Sequence, residues 1–552
     1  MNPMNPMFIT HEVFNQPAPL VDTNLFATNR PLRDALHFNA AALDTAELDR
    51  LGALLGSAEM QRHARLANAH LPQLHTHDRV GRRSDVVEFH PSYHALMSAA
   101  TAAGLHGTPW AGAAHDHLRR AAGFMLFTEL EPAVLCPISM TYAATPSMRA
   151  NAALASEWGP RLMSRGYDAR FVPAAQKSSV TMGMGMTEKQ GGSDVRANTS
   201  QALPDGADAW GDRYRLVGHK WFMSAPMCDA FLVLAQAPGG LSCFFLPRWL
   251  PDGSVNAVQI QRLKDKLGNR ANASAEVEFH GAQAWRVGEV GRGVAQILEM
   301  GSMTRLDCAL GTSGLMRQAL SMALHHTAQR SAFGKLLIDQ SAMRNVLADL
   351  ALESEAATAL SLRLARAYDH PDDAREALMR RLLTPVAKFW VCKRGSAFAQ
   401  EAMECLGGNG YVEAGGEGVM ARIYREMPVN SIWEGAGNIM VLDLLRALKE
   451  DSDMADALAE ELAPARGTSA EFDRFTAALM PRIASVVAPS DARRLAQDVA
   501  LAVQASLLRQ HSSDAVFEAF CRSRMGGDWG QAFGTLGAAT DFDSIIARAM
   551  PR

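Results

Sequence analysis

The chain has 552 residues, 48% hydrophobic and 20% charged, which is too long for one hydrophobic core and calls for two to four packed units. A net charge of −4 argues against a globally basic polyanion binder, and there is no run of 18 apolar residues to span a membrane. Cysteines 136, 228, 243, 308, 392, 405 and 521 are scattered without a C-x-x-C pair, and the N-terminus lacks a basic and apolar leader. These features predict a reduced, cytoplasmic protein without a metal site.

Residues 1–180 read as a helical domain with long connections, its helices placed near 57–71 and 113–130. Over 181–300 the period shortens. Arg213–Phe222 alternates, Ala230–Ala235 and Leu241–Leu246 are short apolar runs, and Pro238-Gly-Gly and Pro251-Asp-Gly punctuate them as turns of a compact β unit. Over 301–450, Val346, Leu350, Ala357, Leu360 and Leu364 fall on one helix face, and Leu378, Leu382 and Phe389 continue the pattern in the next helix of a bundle. Pro385 is expected to kink or break that helix. Residues 451–552 read as a helical extension ending in the Gly-rich 525–530 and a loose tail. That extension holds ten Arg, no Lys and fourteen Asp or Glu, so the net −4 of the chain lies within it.

Four fragments carry candidate chemistry. The stretch Met182–Val195, MGMGMTEKQGGSDV, has four glycines but fits neither G-x-x-x-x-G-K-[ST] nor G-x-G-x-x-G. It is either a ligand loop or a turn leading into the β unit. In Ser431–Asn438, SIWEGAGN, Glu434 follows Ile432 and Trp433. It is either a base in apolar surroundings or the third residue of a capping box opened by Ser431. Gln329–Gly334 reads as a helix end with Gly334 at the left-handed cap, and Leu406–Tyr411 as a helix stop. The pair His325-His326 is expected on an exposed helix turn, not at a metal.

In this order, Met186-Thr-Glu-Lys-Gln-Gly-Gly-Ser-Asp194, Arg330-Ser-Ala-Phe-Gly334, Leu406-Gly-Gly-Asn-Gly-Tyr411 and Ile432-Trp-Glu-Gly435 resemble the acyl-CoA dehydrogenase flavoprotein family. Gly183–Val195, Leu216–Phe222, Arg262–Arg270 and Tyr424–Glu434, with Val13–Pro17 and Cys136–Tyr142, resemble its AidB-type branch of DNA-alkylation-response proteins. The resemblance covers about 1–450 and fades over 451–552. It implies an α+β, mostly α fold: an N-terminal helical domain (1–180), a central β-barrel (181–300), a four-helix bundle (301–450) and a C-terminal helical extension (451–552).

The resemblance also implies FAD as cofactor and a homotetramer. Met184, Gly185, Met186, Thr187, Gly192 and Ser193 would line the flavin, with Trp221, Phe222 and Ser224 as its other support. Arg330 would reach the pyrophosphate of a neighbouring subunit's cofactor, with the Gly407-Gly408 turn near that same cofactor, and Phe333, Ile432, Trp433, Gly435 and Asn438 would also bind cofactor. Glu434 matches the base that takes the α-proton of an acyl thioester such as isovaleryl-CoA while the β-hydride goes to flavin N5. Relatives with their base on the first bundle helix carry it one residue before an arginine resembling Arg305, and that position is Thr304 here.

The AidB-type branch further implies a role in the response to DNA alkylation, by binding double-stranded DNA or destroying alkylating agents. Arg446, Arg493, Arg494, Arg522 and Arg524 are the candidate DNA contacts, although the extension is acidic overall. The alternatives are an ordinary branched-chain acyl-CoA dehydrogenase without DNA binding, and a non-catalytic DNA-binding flavoprotein.

Overall fold

The structure is a computed structural model and describes residues 10–413, 418–485 and 487–552. The chain begins with helices α1 (Arg30–Asn39), α2 (Ala46–Leu55) and α3 (Ala58–Ala69). Ser57 starts α3 by accepting from Met60 N at 3.3 Å. An unforeseen hairpin follows, β1 (Gln73–His77) and β2 (Arg83–Glu88). Asp78 sets its turn by accepting from the N–H of Val80 and Arg82 at 2.9 Å. Helices α4 (Pro91–Ala102), α5 (Asp116–Leu130), α6 (Leu135–Met148) and α7 (Ala152–Leu162) complete this part.

Seven strands come next: β3 (Met182–Thr187), β4 (Gln201–Asp208), β5 (Gly211–Ser224), β6 (Ala230–Ala237), β7 (Gly240–Pro247), β8 (Val258–Leu263) and β9 (Ser274–Val287). Pairings β3–β5, β5–β9, β9–β7, β7–β6 and β6–β3 close a ring, with β4 and β8 flanking it. Phe231 and Val233 face one core with Phe244, Val277 and Phe279, whereas Leu232 and Leu234 face a second with Trp158, Phe245, Trp285 and Met300. A strand buried on both faces reads as a continuous apolar run, which is why Ala230–Ala235 does not alternate.

The bundle consists of α8 (Gly293–Thr327), α9 (Ser341–Asp369), α10 (Ala374–Glu404), the short α11 (Gly408–Tyr411), α12 (Val419–Asn430) and α13 (Gly437–Glu450). Pro385 does not break α10, contrary to expectation. It is buried among Leu382, Leu383, Val386 and Ala387, and packing of α10 on α8 and α9 keeps the helix continuous.

Helices α14 (Met454–Leu462), α15 (Ala470–Ile483), α16 (Ala492–His511), α17 (Asp514–Phe520) and α18 (Phe542–Ala549) share one core with the bundle, α16 lying on α9, α10 and α13. The tail is not loose. Buried Asp349 of α9 accepts from Trp529 Nε1 at 3.0 Å and Gly534 N at 2.9 Å, and Arg548 binds Glu355 at 2.8 Å. Arg317 of α8 donates to Ala549 O at 2.7 Å. Carboxylates deep in α9 therefore organise a segment whose own sequence is turn-like.

Candidate active site

Glu434 lies in the turn between α12 and α13. Ser431 is the C-cap of α12 and its hydroxyl donates to Pro428 O at 3.0 Å, so there is no capping box here. Glu434 has φ +58° and Gly435 φ +105°. A left-handed glutamate costs about 1–2 kcal/mol and needs outside support. Arg305 Nε donates to Glu434 O at 3.0 Å, and Lys388 Nζ donates to Gly435 O at 2.6 Å. Asp443 of α13 fixes Arg305 in turn at 3.0 Å.

The Glu434 carboxylate accepts from Thr304 Oγ1 at 2.6 Å. The two positions that the family resemblance marks for a base are thus in contact, one as acid and one as hydroxyl. Burial raises the Glu434 pKa above the usual carboxylate range, and Thr304, Arg305 and Lys388 oppose that rise.

A cavity of about 40 Å³ opens on this carboxylate, lined by α5, α6, α8, α12 and the 264–272 loop. Cys136, Met140 and Trp433 give it apolar wall, while Asp307 and Glu426 bring two more carboxylates. Asp307 is held bidentate by Arg120 at 2.6 and 2.7 Å and accepts from Ser139 Oγ at 2.6 Å. The Arg120 guanidinium stacks on the Tyr142 ring at 3.5 Å. Asp307, Arg120 and Lys388 were not foreseen. Arg120 and Asp307 are 187 residues apart, and nothing local in either helix marks them.

Helix α6 joins this cavity to the barrel. Its Cys136 and Met140 line the cavity, and its Thr141 Oγ1 accepts from Met182 N of β3 at 2.9 Å. In the β3–β5 pair, Met184 is opposite Ser224 and Thr187 opposite Phe222, with an irregularity between them. A Cβ on Gly183 would stand 2.4 Å from Ser224 O, and one on Gly192 2.4 Å from Thr187 Oγ1. These glycines exist for close backbone approach.

Glu188 anchors the loop that follows β3. It is fully buried and accepts from Lys220 Nζ at 2.8 Å, Thr199 N at 2.7 Å and Ser200 N at 3.2 Å. Burial disfavours its charge, but Lys220 and these donors hold its pKa down at about 2.

Family comparisons agree along the length of the chain. The model for the adaptive response protein AidB N-terminal domain matches residues 15–169, that for the acyl-CoA dehydrogenase middle domain matches 183–282, and that for the acyl-CoA dehydrogenase C-terminal domain matches 291–449. AidB of Escherichia coli (strain K12) is 50% identical over 479 residues, 86% of this chain and 87% of that one. The chain belongs to the AidB-type acyl-CoA dehydrogenase family. Acyl-CoA dehydrogenase family member 11 of Caenorhabditis elegans is 31% identical over 76% of this chain and 69% of its own. The solved structure of C. elegans ACDH-11 in complex with C11-CoA aligns with TM-score 0.81 at 26% identity, covering 97% of this chain and 96% of that one. Bd2924 in its apo form aligns with TM-score 0.82 at 30% identity, over 91% of this chain and all of that one. The acyl-CoA dehydrogenase fold follows, mostly helical around a central β-sheet domain.

Other marked residues of this AidB-type chain lie on its rim. Arg330 donates to Asn15 O at 2.6 Å, and Phe333 is 98% exposed. Gly334 is not a helix cap. Helix α8 stops at Thr327, and Phe333 (φ +52°) and Gly334 (φ +76°) turn a small hairpin between Ser331–Ala332 and Lys335–Leu336, as a type I′ turn requires. Gly407 and Gly408 are exposed past the end of α10, as is Ile432 beside Glu434. His326 is buried, not on an exposed turn, and His325 bonds Ala18 O at 2.7 Å.

The candidate DNA arginines divide. Arg524 is buried, paired with Asp349 and Glu353 and stacked on Trp529 at 4.2 Å, so it is withdrawn as a phosphate contact. Arg446 and Arg494 are exposed beside Asp443 and Asp498, and Arg522 donates to Ala539 O. Arg493 donates to Asn438 Oδ1 at 3.0 Å, which ties a candidate DNA residue to a candidate cofactor residue. No helix among the described residues is long and apolar enough to cross a membrane, and the seven thiols are free and buried.

Proposed function

We propose that the chain is an FAD-dependent acyl-CoA dehydrogenase-type enzyme with Glu434 as α-proton base, acting on short acyl thioesters such as isovaleryl-CoA. The observation that carries this reading is the raised, hydroxyl-bonded Glu434 carboxylate at the mouth of a small cavity, on a strained turn clamped by Arg305 and Lys388. Its backbone N–H lies just past Ile432 and Trp433, whose N–H groups return to Val429 O. In this reading it is the group that polarises the thioester carbonyl.

The residues present fit a flavin. Phe222, the register partner of Thr187, is 47% exposed near the end of β5, two residues before Ser224, and offers a flat apolar surface. Arg330 donates to a backbone carbonyl, not to a carboxylate, so its charge suits the pyrophosphate of a neighbouring subunit's cofactor. The exposed Val13, Phe14, Phe333 and Tyr411 around it support burial against further copies in a tetramer. When bound, the flavin supplies the two-electron acceptor. The chain's own part is to hold the thioester, take the proton at Glu434 and keep water out.

Anaerobic titration of the purified holoprotein with isovaleryl-CoA tests the reading. Bleaching of the flavin is expected in the native protein and not in Glu434→Gln. Equal bleaching in both would remove Glu434 as base.

The proposed biological role is the adaptive response to DNA alkylation, through association with duplex DNA or destruction of alkylating agents at this site. Support for the DNA part lies in Arg493 and Arg494 opening α16 next to α13, which carries Arg446. Replacing these three by Ala should weaken duplex binding and lower its salt slope. An unchanged salt slope would exclude this surface.

A further inference from the structure

The acyl pocket is more polar than an alkyl chain requires. Ligand cavities are lined mainly by apolar groups with a few placed polar ones. Around this cavity stand Ser139, Asn269, Asp307, Glu426 and Asn430 as well as the base and Thr304, all buried except the base itself. Their hydrogen bonds determine what they leave for a ligand. Ser139 donates its only proton to Asp307, so its oxygen can offer only lone pairs. Asn430 accepts from Trp433 Nε1 through Oδ1, which leaves its NH₂. That nitrogen lies 3.7 Å from where a Cβ on Gly311, another lining residue, would stand. Glu426 is tied by both the backbone and side-chain N–H of Asn269.

The cavity therefore presents a donor at Asn430 and acceptors at Ser139 and Glu426. A hydroxyl both donates and accepts, and meets that set. A terminal carboxylate only accepts and would face Asp307 and Glu426. An alkyl tail would leave the Asn430 NH₂ desolvated without a partner. The volume of about 40 Å³ admits roughly three water-sized groups, the scale of a short chain.

We propose that the preferred substrate is a short acyl thioester with a hydroxyl on its tail, recognised by Asn430 and Ser139. The proposal rests on the reading of Glu434 as base. The oxidation is the one already given. The α-proton passes to Glu434, the β-hydrogen leaves with its electron pair for the flavin, and the product is the α,β-enoyl thioester with its hydroxyl intact.

The test compares 4-hydroxybutyryl-CoA, butyryl-CoA and succinyl-CoA by anaerobic flavin bleaching and kcat/KM with the holoprotein. The hydroxylated substrate should exceed butyryl-CoA by at least about tenfold, as sites built to bond a hydroxyl reject the analogue without it. Succinyl-CoA should be the poorest. Asn430→Leu and, independently, Ser139→Ala should bring the ratio of the first two towards one. That ratio is insensitive to how much of each variant folds. A native ratio at or below one, with butyryl-CoA turned over, overturns the hydroxyl inference and leaves Glu434 as base. So does a high ratio unmoved by both variants. If no thioester bleaches the flavin, the dehydrogenase reading falls and the inference with it.

Discussion

Glu188, fully buried, and Glu434, half-buried, both lie in glycine-containing motifs, yet they are held in opposite ways. Glu188 has an ammonium at 2.8 Å and several N–H donors on its two oxygens, and it remains charged. Glu434 has one hydroxyl at 2.6 Å, while the cations nearest it, Arg305 and Lys388, are spent on backbone carbonyls. A saturated carboxylate anchors a loop. An under-saturated one, pushed towards its neutral form, keeps capacity for a proton. The contrast between structural and chemical acid lies in who receives the neighbouring cations, not in burial as such.

The largest effect expected from that contrast is on catalysis. Glu434→Gln should lower kcat by about 10²–10⁴-fold, the usual contribution of a general base, with the thermal midpoint unchanged or raised. A variant that loses fold and activity together would put Glu434 in the structural class beside Glu188.

The converse is Lys220→Met. It strands the Glu188 carboxylate inside the barrel wall and should cost about 3–5 kcal/mol in denaturant unfolding, the range for breaking one side of a buried pair. A loss below about 1 kcal/mol would mean that the backbone donors from Thr199 and Ser200 hold Glu188 without the ammonium.

The sequence made Glu434 legible as a candidate acid and marked the loop around Glu188, but not Glu188 itself or the partners of either. Ile-Trp-Glu-Gly suggests either a base or a capping box without revealing the left-handed φ of Glu434, and the alternation in Arg213–Phe222 marks β5. Thr304 could be read as the absence of a base, but its contact with Glu434, 130 residues on, had no local sign. Arg522 and Arg524 look equivalent two residues apart. A π-helical turn at 521–525 leaves the first half-buried, donating to Ala539 O, and sends the second to Asp349 and Glu353. Long-range ion pairing of this kind leaves no period in the chain, so the tail reads as loose and the extension as a surface.

A smaller effect separates the Thr304 hydroxyl from the cations. Thr304→Val removes a hydrogen bond that favours the ionised form of Glu434, so the pKa of the base should rise further. The acidic limb of the kcat/KM profile should move to higher pH by about one unit, with little change on the plateau. Movement to lower pH, or none, would show that the hydroxyl is not bonded to the charged base during turnover.

Glu129 of α5 provides the last and smallest test, because its pKa is raised like that of Glu434 although it does not line the cavity. Burial pushes its pKa up to about 8, Arg317 opposing, and its one side-chain partner is Asn29 at 3.5 Å. A carboxyl raised in the folded state contributes stability that is whole below the ordinary carboxylate pKa and is lost as pH rises through about 8. Between pH 7 and 9 the native protein should lose about 1 kcal/mol on this account, and Glu129→Gln should flatten that part of the stability curve. Its kcat/KM should stay native. If Glu129→Gln also abolished flavin bleaching, a raised carboxyl would matter here through the fold, and the distinction would have to rest on the Thr304 contact and the clamped turn alone. If only the stability curve changes, two raised carboxyls in one chain differ in function because one of them faces a cavity and the other faces Arg317.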